Sequence, residues 1–238
     1  MKSPLIAIML LMSCISAYAE VLQPVSVVAT YDVYKGRMKI GRIEESFTRD
    51  KDHYTLTSTT QAIGWLRFFN RGKIIISSNG LMNNHGLQPQ LFSDQRIGSE
   101  EKNRQAELDW VTKQLTLIQK DQHTSVELPA GTQDRISAMY QFMFLPLKID
   151  TTLNFSMTNG GKLDDYHYLV AQGETLKTPA GEFKTLYLDS QAKAGENRTE
   201  IWLATEHQNF PCKMTITDAD GDQLTQILSK LEIKTAAK

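Results

Sequence analysis

The sequence predicts a mainly β (α+β) protein, in which a strongly curved antiparallel sheet or open barrel of about ten or more strands holds one apolar helix. Apolar and polar residues alternate along most of the chain, as in strands with one buried face. Turn residues, including many of the 14 glycines, separate these runs and suit short antiparallel connections. Because no strand-like run alternates regularly with a helical one, a parallel sheet is disfavoured.

The first two predicted strands are the reason to expect curvature. Alternate apolar residues from Val25 to Val33 place one face of the first strand in the core. In the second strand Ile40 points inward, but the pattern resumes on the opposite parity at Ile43. A change of phase beside Gly41 is typical of a β-bulge, and bulges bend the strand that carries them.

Later alternating runs predict strands near residues 54–62, 73–77, 106–110, 115–117, 126–128, 153–157, 166–170, 183–188, 201–203, 212–216 and 227–233. One interruption, near 133–145, predicts the helix. Its apolar stripe is formed by Ile136, Met139, Tyr140 and Met143. Thr132 or Asp134 can cap the start of this helix, and Pro146 ends it. A helix this apolar must be covered, so we expect it to pack on the concave face of the sheet.

Residues 1–19 have the layout of a secretory signal peptide. Lys2 precedes an uncharged apolar run, and Ala17-Tyr18-Ala19 forms a cleavage site between Ala19 and Glu20. The apolar run is too short to span a bilayer. We therefore expect export to the periplasm of a Gram-negative bacterium, and a single curved antiparallel β domain over residues 20–238 with no transmembrane segment.

The two cysteines have separate interpretations. Leu11-Met12-Ser13-Cys14 resembles the lipobox of bacterial lipoproteins, so lipidation of Cys14 is the alternative to cleavage after Ala19. Cleavage leaves Cys212 as the single thiol, which cannot form an internal disulfide. Because alternate residues around Cys212 are apolar, we expect this thiol to face the core.

Charge and motifs exclude several classes of function. The 26 Lys and Arg residues balance 27 Asp and Glu residues, which gives no basic surplus for binding nucleic acid. We expect no cofactor, because neither a phosphate-cradling loop nor a dinucleotide fingerprint is present. We also expect no metal: the five histidines are scattered, and Asp218–Asp222 is better explained by an Asp-Gly hairpin turn than by a calcium loop. No catalytic residue is predicted.

The segment Gly64–Lys73, which we call the aromatic lip, is the most informative in the chain. Its candidate ligand-binding residues are Trp65, Leu66, Phe68 and Phe69, and its basic rim comprises Arg67, Arg71 and Lys73. Such a lip could contact a lipid tail and its anionic head group, or its rings could plug the end of the sheet. Two interpretations are likewise open for the helix residues Met139, Tyr140 and Met143. They could line an adaptable cavity or pack in the core.

Several landmarks together resemble a known exported bacterial family. They include Gly86-Leu87-Gln88-Pro89, Leu108-Asp109-Trp110, Gln133-Asp134-Arg135-Ile136-Ser137, Thr178-Pro179-Ala180-Gly181-Glu182-Phe183 and Glu200-Ile201-Trp202-Leu203-Ala204. In this order they are similar to the family catalogued as domain of unknown function 3108. The resemblance implies a fold similar to periplasmic lipoprotein-carrier proteins, whose open curved sheets cradle acyl chains under a helix.

Three hypotheses of function follow. The first is a non-catalytic periplasmic protein that binds a lipid or another hydrophobic envelope ligand in an apolar cavity. The second is an envelope scaffold or protein-binding module that acts through a sheet edge. The third is a hydrolase whose site is assembled from remote residues such as Asp134 and His167.

Overall fold

The computed structural model describes residues 24–64, 72–193 and 195–235. Within these ranges the strands join into a single 15-stranded sheet with two arms. The N-terminal arm contains β1 (Pro24–Lys35), β2 (Met38–Asp50), β3 (His53–Ala62), β4 (Lys73–Asn83), β5 (Gly86–Ile97), β6 (Arg104–Asp109), β7 (Gln114–Gln119) and β8 (Gln122–Glu127).

The C-terminal arm contains β9 (Gln133–Asp134), β10 (Thr151–Thr158), β11 (Leu163–Thr178), β12 (Gly181–Asp189), β13 (Arg198–Ala204), β14 (Phe210–Thr217) and β15 (Gln223–Thr235). A short helix, α1 (Ser137–Gln141), follows β9 and continues into the 3₁₀ turn Phe142–Phe144. Two further 3₁₀ turns lie at Glu100–Lys102 and Thr205–His207. The predicted mainly β architecture, with more than ten strands, is confirmed.

The two arms meet along β1. This strand pairs with β2 on one side and with β15 on the other, so the first and last strands lie side by side. Outward from β1, the N-terminal arm runs from β2 up to β8 at one edge. The C-terminal arm runs from β15 down to β9 at the other edge. Every pairing among the described strands is antiparallel except that of β9 with β10.

The sheet is curved so strongly that β9, at one edge of the strand order, contacts strands of the opposite arm. The Ser78 hydroxyl of β4 donates to the Asp134 carboxylate of β9. Gln133 Nε2 donates to the carbonyl of Leu87 in β5 over 2.9 Å. A flat sheet would hold these strands far apart, so the contacts demonstrate the curl.

The bulge predicted beside Gly41 is confirmed. Val33 pairs with Gly41 and Tyr34 pairs with Lys39, which leaves Ile40 as the extra residue of β2. A similar irregularity lies between Asn79 and Gly80 in β4. Bulges increase local twist and bend the strand, which accounts for part of the curvature.

The predicted helix is shorter than residues 133–145. Gln133 and Asp134 form a strand instead, and α1 begins at Ser137. The Asp134 side chain is the reason, because its Oδ1 accepts the backbone N–H groups of Ile136 (3.0 Å) and Ser137 (2.8 Å) and so caps the first turn. Leu145 is extended before Pro146, as a residue preceding proline prefers.

Strand β5 was not predicted, because its inward positions do not read as an apolar run. Pro89 and Asp94 are buried there together with Leu87 and Phe92. The pairing irregularity opposite Gly80 also changes which parity faces inward midway along the strand.

Candidate functional site

The inner face of the sheet is filled at its centre by an aromatic floor, formed by Tyr31, Phe47, Tyr54, Tyr140 and Phe210. The Phe47 ring stacks on Tyr140 with a centroid distance of 5.7 Å, and Tyr140 meets Phe210 edge-on at 5.5 Å. All five side chains are buried. This part of the interior is therefore packed by the protein's own rings.

Above the floor, at the end of the sheet where β1 turns into β2, lies a cavity of about 190 Å³. We call it the open-end cavity. Eight apolar side chains line it: Val33, Ile43, Ile74, Ile76, Ile136, Met139, Met214 and Leu224. Its polar lining comprises Glu45, Ser58, Thr60, Arg135 and Gln226. Apolar walls with a few polar groups are typical of ligand sites.

Glu45 is the carboxyl group of this cavity. Ser58 Oγ donates to its Oε1 over 3.1 Å, and the hydroxyl of Tyr140 donates to its Oε2 over 3.2 Å. Burial raises the pKa of Glu45 to about 7, although both hydrogen bonds oppose the shift. The group therefore changes charge near neutral pH in a cavity whose lining is mainly apolar.

A second pocket of about 200 Å³ adjoins the open-end cavity and shares Thr60 and Ile74 with it. Its other lining residues include Lys73, Arg96 and Lys102, which make this side of the opening basic. Ala62 and Gly72, which stand in sequence on either side of residues 65–71, also line it.

Asp134 lies below the cavity and has no exposed surface. Besides capping α1 it accepts a hydrogen bond from Ser78, whose hydroxyl is also 2.9 Å from the hydroxyl of Tyr54. Burial raises the pKa of Asp134 to about 6, against the effect of these bonds. Because each partner is a structural group of the fold, Asp134 joins α1 to the sheet.

At the opposite end of the sheet a wider groove of about 620 Å³ runs beside α1. Trp110, Lys113, Glu127, Leu128 and Ala130 lie along it. Two hydrogen bonds of 2.7 Å close its base: Gln141 Oε1 accepts the backbone N–H of Leu87, and Gln141 Nε2 donates to the carbonyl of His85. We call it the far-end groove.

The structure brings together only some of the residues proposed from sequence. Met139 lines the open-end cavity, whereas Tyr140 belongs to the aromatic floor and Met143 is buried in the core. Lys73 lines the adjoining basic pocket. The lip residues Trp65, Leu66, Arg67, Phe68, Phe69 and Arg71 lie outside the described residues, as do Cys14, Ala19 and Glu20.

Sequence reasoning missed Glu45 and Arg135. Glu45 stands at an inward position between Ile43 and Phe47, so a charge within an apolar strand face is the signal that could have identified it. Arg135 is exposed beside the buried Ile136, and no local pattern marks it.

The other candidates have structural explanations. Asp218–Asp222 forms the turn between β14 and β15, with Gly221 at φ +88°, as predicted. Cys212 is fully buried, and burial raises the pKa of its thiol to about 12. His167 Nδ1 lies 2.5 Å from Asn154 Oδ1 on an exposed part of the sheet. Across the described ranges no group of three His, Cys, Asp or Glu residues could hold a metal ion.

A family model matches residues 30–229, which span nearly all of the described sheet. The chain belongs to the family described as protein of unknown function (DUF3108). The resemblance inferred from the sequence landmarks is therefore confirmed. No curated protein matches the chain.

Two solved structures are similar to this DUF3108 chain. A β-barrel-like protein of domain of unknown function DUF1849 from Brucella abortus is similar with a TM-score of 0.55 and 12% identity, over 90% of this chain and 100% of that one. A "putative lipoprotein" from Parabacteroides distasonis gives a TM-score of 0.38 and 8% identity, over 89% and 96% of the two chains. The first likeness concerns the fold alone. Among residues 24–64, 72–193 and 195–235, the structure contains no helix that meets the length and apolarity needed to cross a membrane.

Proposed function

We propose that this DUF3108 chain is an exported, non-catalytic protein that binds a lipid or another hydrophobic envelope molecule in the open-end cavity. The observation that supports the proposal is the cavity itself, because eight apolar side chains surround a volume that the protein's own side chains leave unfilled. The signal-like layout of residues 1–19 supports export to the periplasm, with Ala19–Glu20 as the cleavage site and Cys14 lipidation as the alternative.

The size of the cavity limits what it can bury. At roughly 30 Å³ for a group the size of a water molecule, its volume of about 190 Å³ holds about six methylene groups. At ~0.8 kcal/mol for each buried CH₂, they contribute about 5 kcal/mol, which corresponds to a sub-millimolar Kd. The cavity alone therefore suits the end of an acyl chain or a small apolar group.

The polar groups near the cavity favour binding over catalysis. Glu45 and Asp134 have raised pKa values, which in a cleft can indicate catalytic groups. Both, however, hold α1 against the sheet: Glu45 through the hydroxyl of Tyr140 and Asp134 through the helix cap. Their hydrogen bonds account for their positions without a substrate.

Filling the cavity tests the proposal. We expect Ile74→Trp and Met139→Trp each to weaken binding of the apolar fluorophore N-phenyl-1-naphthylamine about tenfold or more, because the indole ring would occupy the space that the probe needs. Fluorescence titration measures the affinity, and thermal unfolding verifies that each variant folds. Ala130→Trp is the matched control, because it places the same ring in the far-end groove.

A loss of binding in Ala130→Trp with none in the other two variants would move the site to the far-end groove and contradict the proposal. Unchanged binding in all three folded variants would contradict it as well. Native mass spectrometry of the protein purified from its own periplasm then identifies the occupant and reports whether the chain begins at Glu20 or at a lipidated Cys14.

A specific observation favours the second function, binding of an envelope protein. Strand β8 is an edge of the sheet, and all six of its residues, Gln122–Glu127, are exposed. An exposed edge can accept a strand from a partner. A co-purifying polypeptide in the native mass spectrum, in place of a lipid, would support this function over the first.

A further inference from the structure

The inner face of the N-terminal arm changes from apolar to polar toward the open end. Residues that pair across neighbouring strands project from the same face of a sheet. One such row, across β5, β6 and β7, is apolar and consists of Phe92, Ala106 and Leu117. The next row toward the open end is polar and consists of Asp94, Arg104 and Gln119.

Arg96 continues this polar surface. It pairs with Ile74, a wall residue of the open-end cavity, and it lines the adjoining basic pocket. Its Nη2 lies 3.2 Å from Asp94 Oδ2. Asp94 Oδ1 and Arg96 Nε are both buried and have no hydrogen-bond partner among the residues that the structure describes. Unpaired buried polar atoms are costly, so their presence here points to a group that completes the site.

Arg135 approaches the same surface from the segment between β9 and α1. Its side chain lines the open-end cavity and is accessible to solvent, yet the surrounding protein lowers the pKa of its guanidinium by desolvation. The charges that act on it come from Asp94, Arg96 and Arg104.

The charges at this place do not balance. Arg96, Arg104 and Arg135, which we call the arginine cluster, lie around the carboxylate of Asp94, and the carboxyl of Glu45 lines the same cavity as Arg135. Within the described residues, the side chains of Arg104 and Arg135 make neither a hydrogen bond nor an ion pair. Lys162 is nearby but is bound to Asp164 at 2.6 Å. Within the described part of the chain, two of the three arginines therefore have no ion-pair partner beside the mainly apolar cavity.

The turn between β10 and β11 packs against one member of the cluster, Arg104. A Cβ atom on Gly160 would lie 3.0 Å from Arg104 Cβ and 3.1 Å from the ring of Phe92, and one on Gly161 would lie 3.2 Å from Arg104 Cδ. The backbone of this turn therefore packs directly against the base of the Arg104 side chain. Such contact restricts the side chain and reduces the entropy lost when it binds a ligand.

We propose that Arg96, Arg104 and Arg135 bind the oxyanion head group, phosphate or carboxylate, of an amphiphile whose apolar tail enters the open-end cavity. The guanidinium group donates in a planar fork that matches both oxyanions. The unpaired Asp94 Oδ1 accepts a hydroxyl or N–H of the same head group. This assignment rests on the function proposed above and specifies the class of ligand: an anionic amphiphile.

Two amphiphiles with the same tail test the assignment, octyl phosphate and the uncharged octyl glucoside, each titrated calorimetrically below its micelle concentration. We expect Arg104→Gln and Arg135→Gln each to weaken octyl phosphate binding about tenfold or more, because a charge-assisted hydrogen bond is lost. Octyl glucoside binding should stay unchanged in both variants. Arg135→Lys should retain part of the affinity, since it keeps the charge but loses the planar fork.

Arg37→Gln is the matched control. Arg37 is exposed in the turn between β1 and β2, at the same end of the molecule but outside the cavity. The variant changes the net charge equally and should bind both amphiphiles as the natural protein does. Circular dichroism and thermal unfolding establish that every variant retains the fold.

The outcomes separate the two proposals. Equal weakening of octyl phosphate binding in Arg37→Gln, or no weakening in the cluster variants, would overturn the head-group assignment, while retained octyl glucoside binding would leave the hydrophobic site standing. Inorganic phosphate that binds as tightly as octyl phosphate, and equally well to Ile74→Trp, would show a free-anion site and also overturn the assignment. If neither amphiphile binds the natural protein, both proposals fail.

Discussion

The aromatic floor and the open-end cavity are built on the same strands, yet one is filled and the other is not. On β2, the inward position of Phe47 is followed toward the open end by Glu45 and Ile43. On β4, Ser78 is followed by Ile76 and Ile74. On β2 an aromatic ring thus gives way to smaller side chains, and α1, which is only five residues long, covers the floor but does not fill the end.

The hydrogen bonding of polar groups also differs between the two regions. Beside the floor, Asp134 and Ser78 satisfy each other and fix α1. At the open end, Arg104 and Arg135 have no such partners within the described residues, and Arg96 has a buried Nε that donates to nothing. Polar groups beside the floor are therefore hydrogen-bonded within the fold. At the open end, charged groups lack such partners among the described residues.

The largest expected effect is on the floor. Phe47→Ala should lower the free energy of unfolding by about 3–5 kcal/mol, because it opens a cavity among packed rings. Ile74→Ala, at the half-buried wall of the open-end cavity, should cost less than half as much, because its surroundings already include empty volume. Urea denaturation of both variants measures the difference. Equal losses would show that the open end is packed as tightly as the floor.

A smaller effect is expected from removing the Ser78 hydroxyl, which connects β4 to β9. Ser78→Ala should lower the free energy of unfolding by about 1–3 kcal/mol, because it removes a donor to the buried Asp134 carboxylate. Ser46→Ala is the control: Ser46 shares a hydrogen bond of 2.7 Å with Thr57 but is only half-buried, so its loss should cost well under 1 kcal/mol. Similar losses in urea denaturation would argue against a special contribution of Asp134.

Much of this architecture could be predicted from local pattern, because strand periodicity and bulges are local properties. The change of phase beside Gly41 predicted the bulge, and Asp134 was among the expected helix caps. The length of the helix could not be predicted in the same way. Gln133 and Asp134 become a strand because they pair with residues of β10 that lie 24 positions later in the chain.

The candidate site was predictable only in part. Met139 could be proposed from helical spacing, and it does line the cavity. The arginine cluster could not, because Arg96, Arg104 and Arg135 come from three separate segments that meet only when the sheet curls. Strand β5, which carries Arg96, escaped prediction for the related reason that Asp94 and Pro89 stand at its inward positions.

The smallest expected effect concerns Glu45 and pH. Its folded pKa is about 7, above its ordinary value of 4.5. Between these values the folded state holds a proton that the unfolded state releases, so the contribution to stability is full below pH 4.5 and is lost as pH rises through 7. Glu45→Gln stays neutral, so it should be more stable than the natural protein at pH 8 by about 1 kcal/mol or more, and should lose this advantage at pH 4.5.

Urea denaturation at both pH values measures this dependence. Asp134 shifts in the same direction but is present in both proteins, so the difference between them isolates Glu45. Glu44→Gln, on the exposed face of the same strand, changes the charge equally and should show no such pH dependence. Parallel stability curves for Glu45→Gln and the natural protein would show that Glu45 is solvated, and the open-end cavity would then be wetter at its base than the contacts with Ser58 and Tyr140 imply.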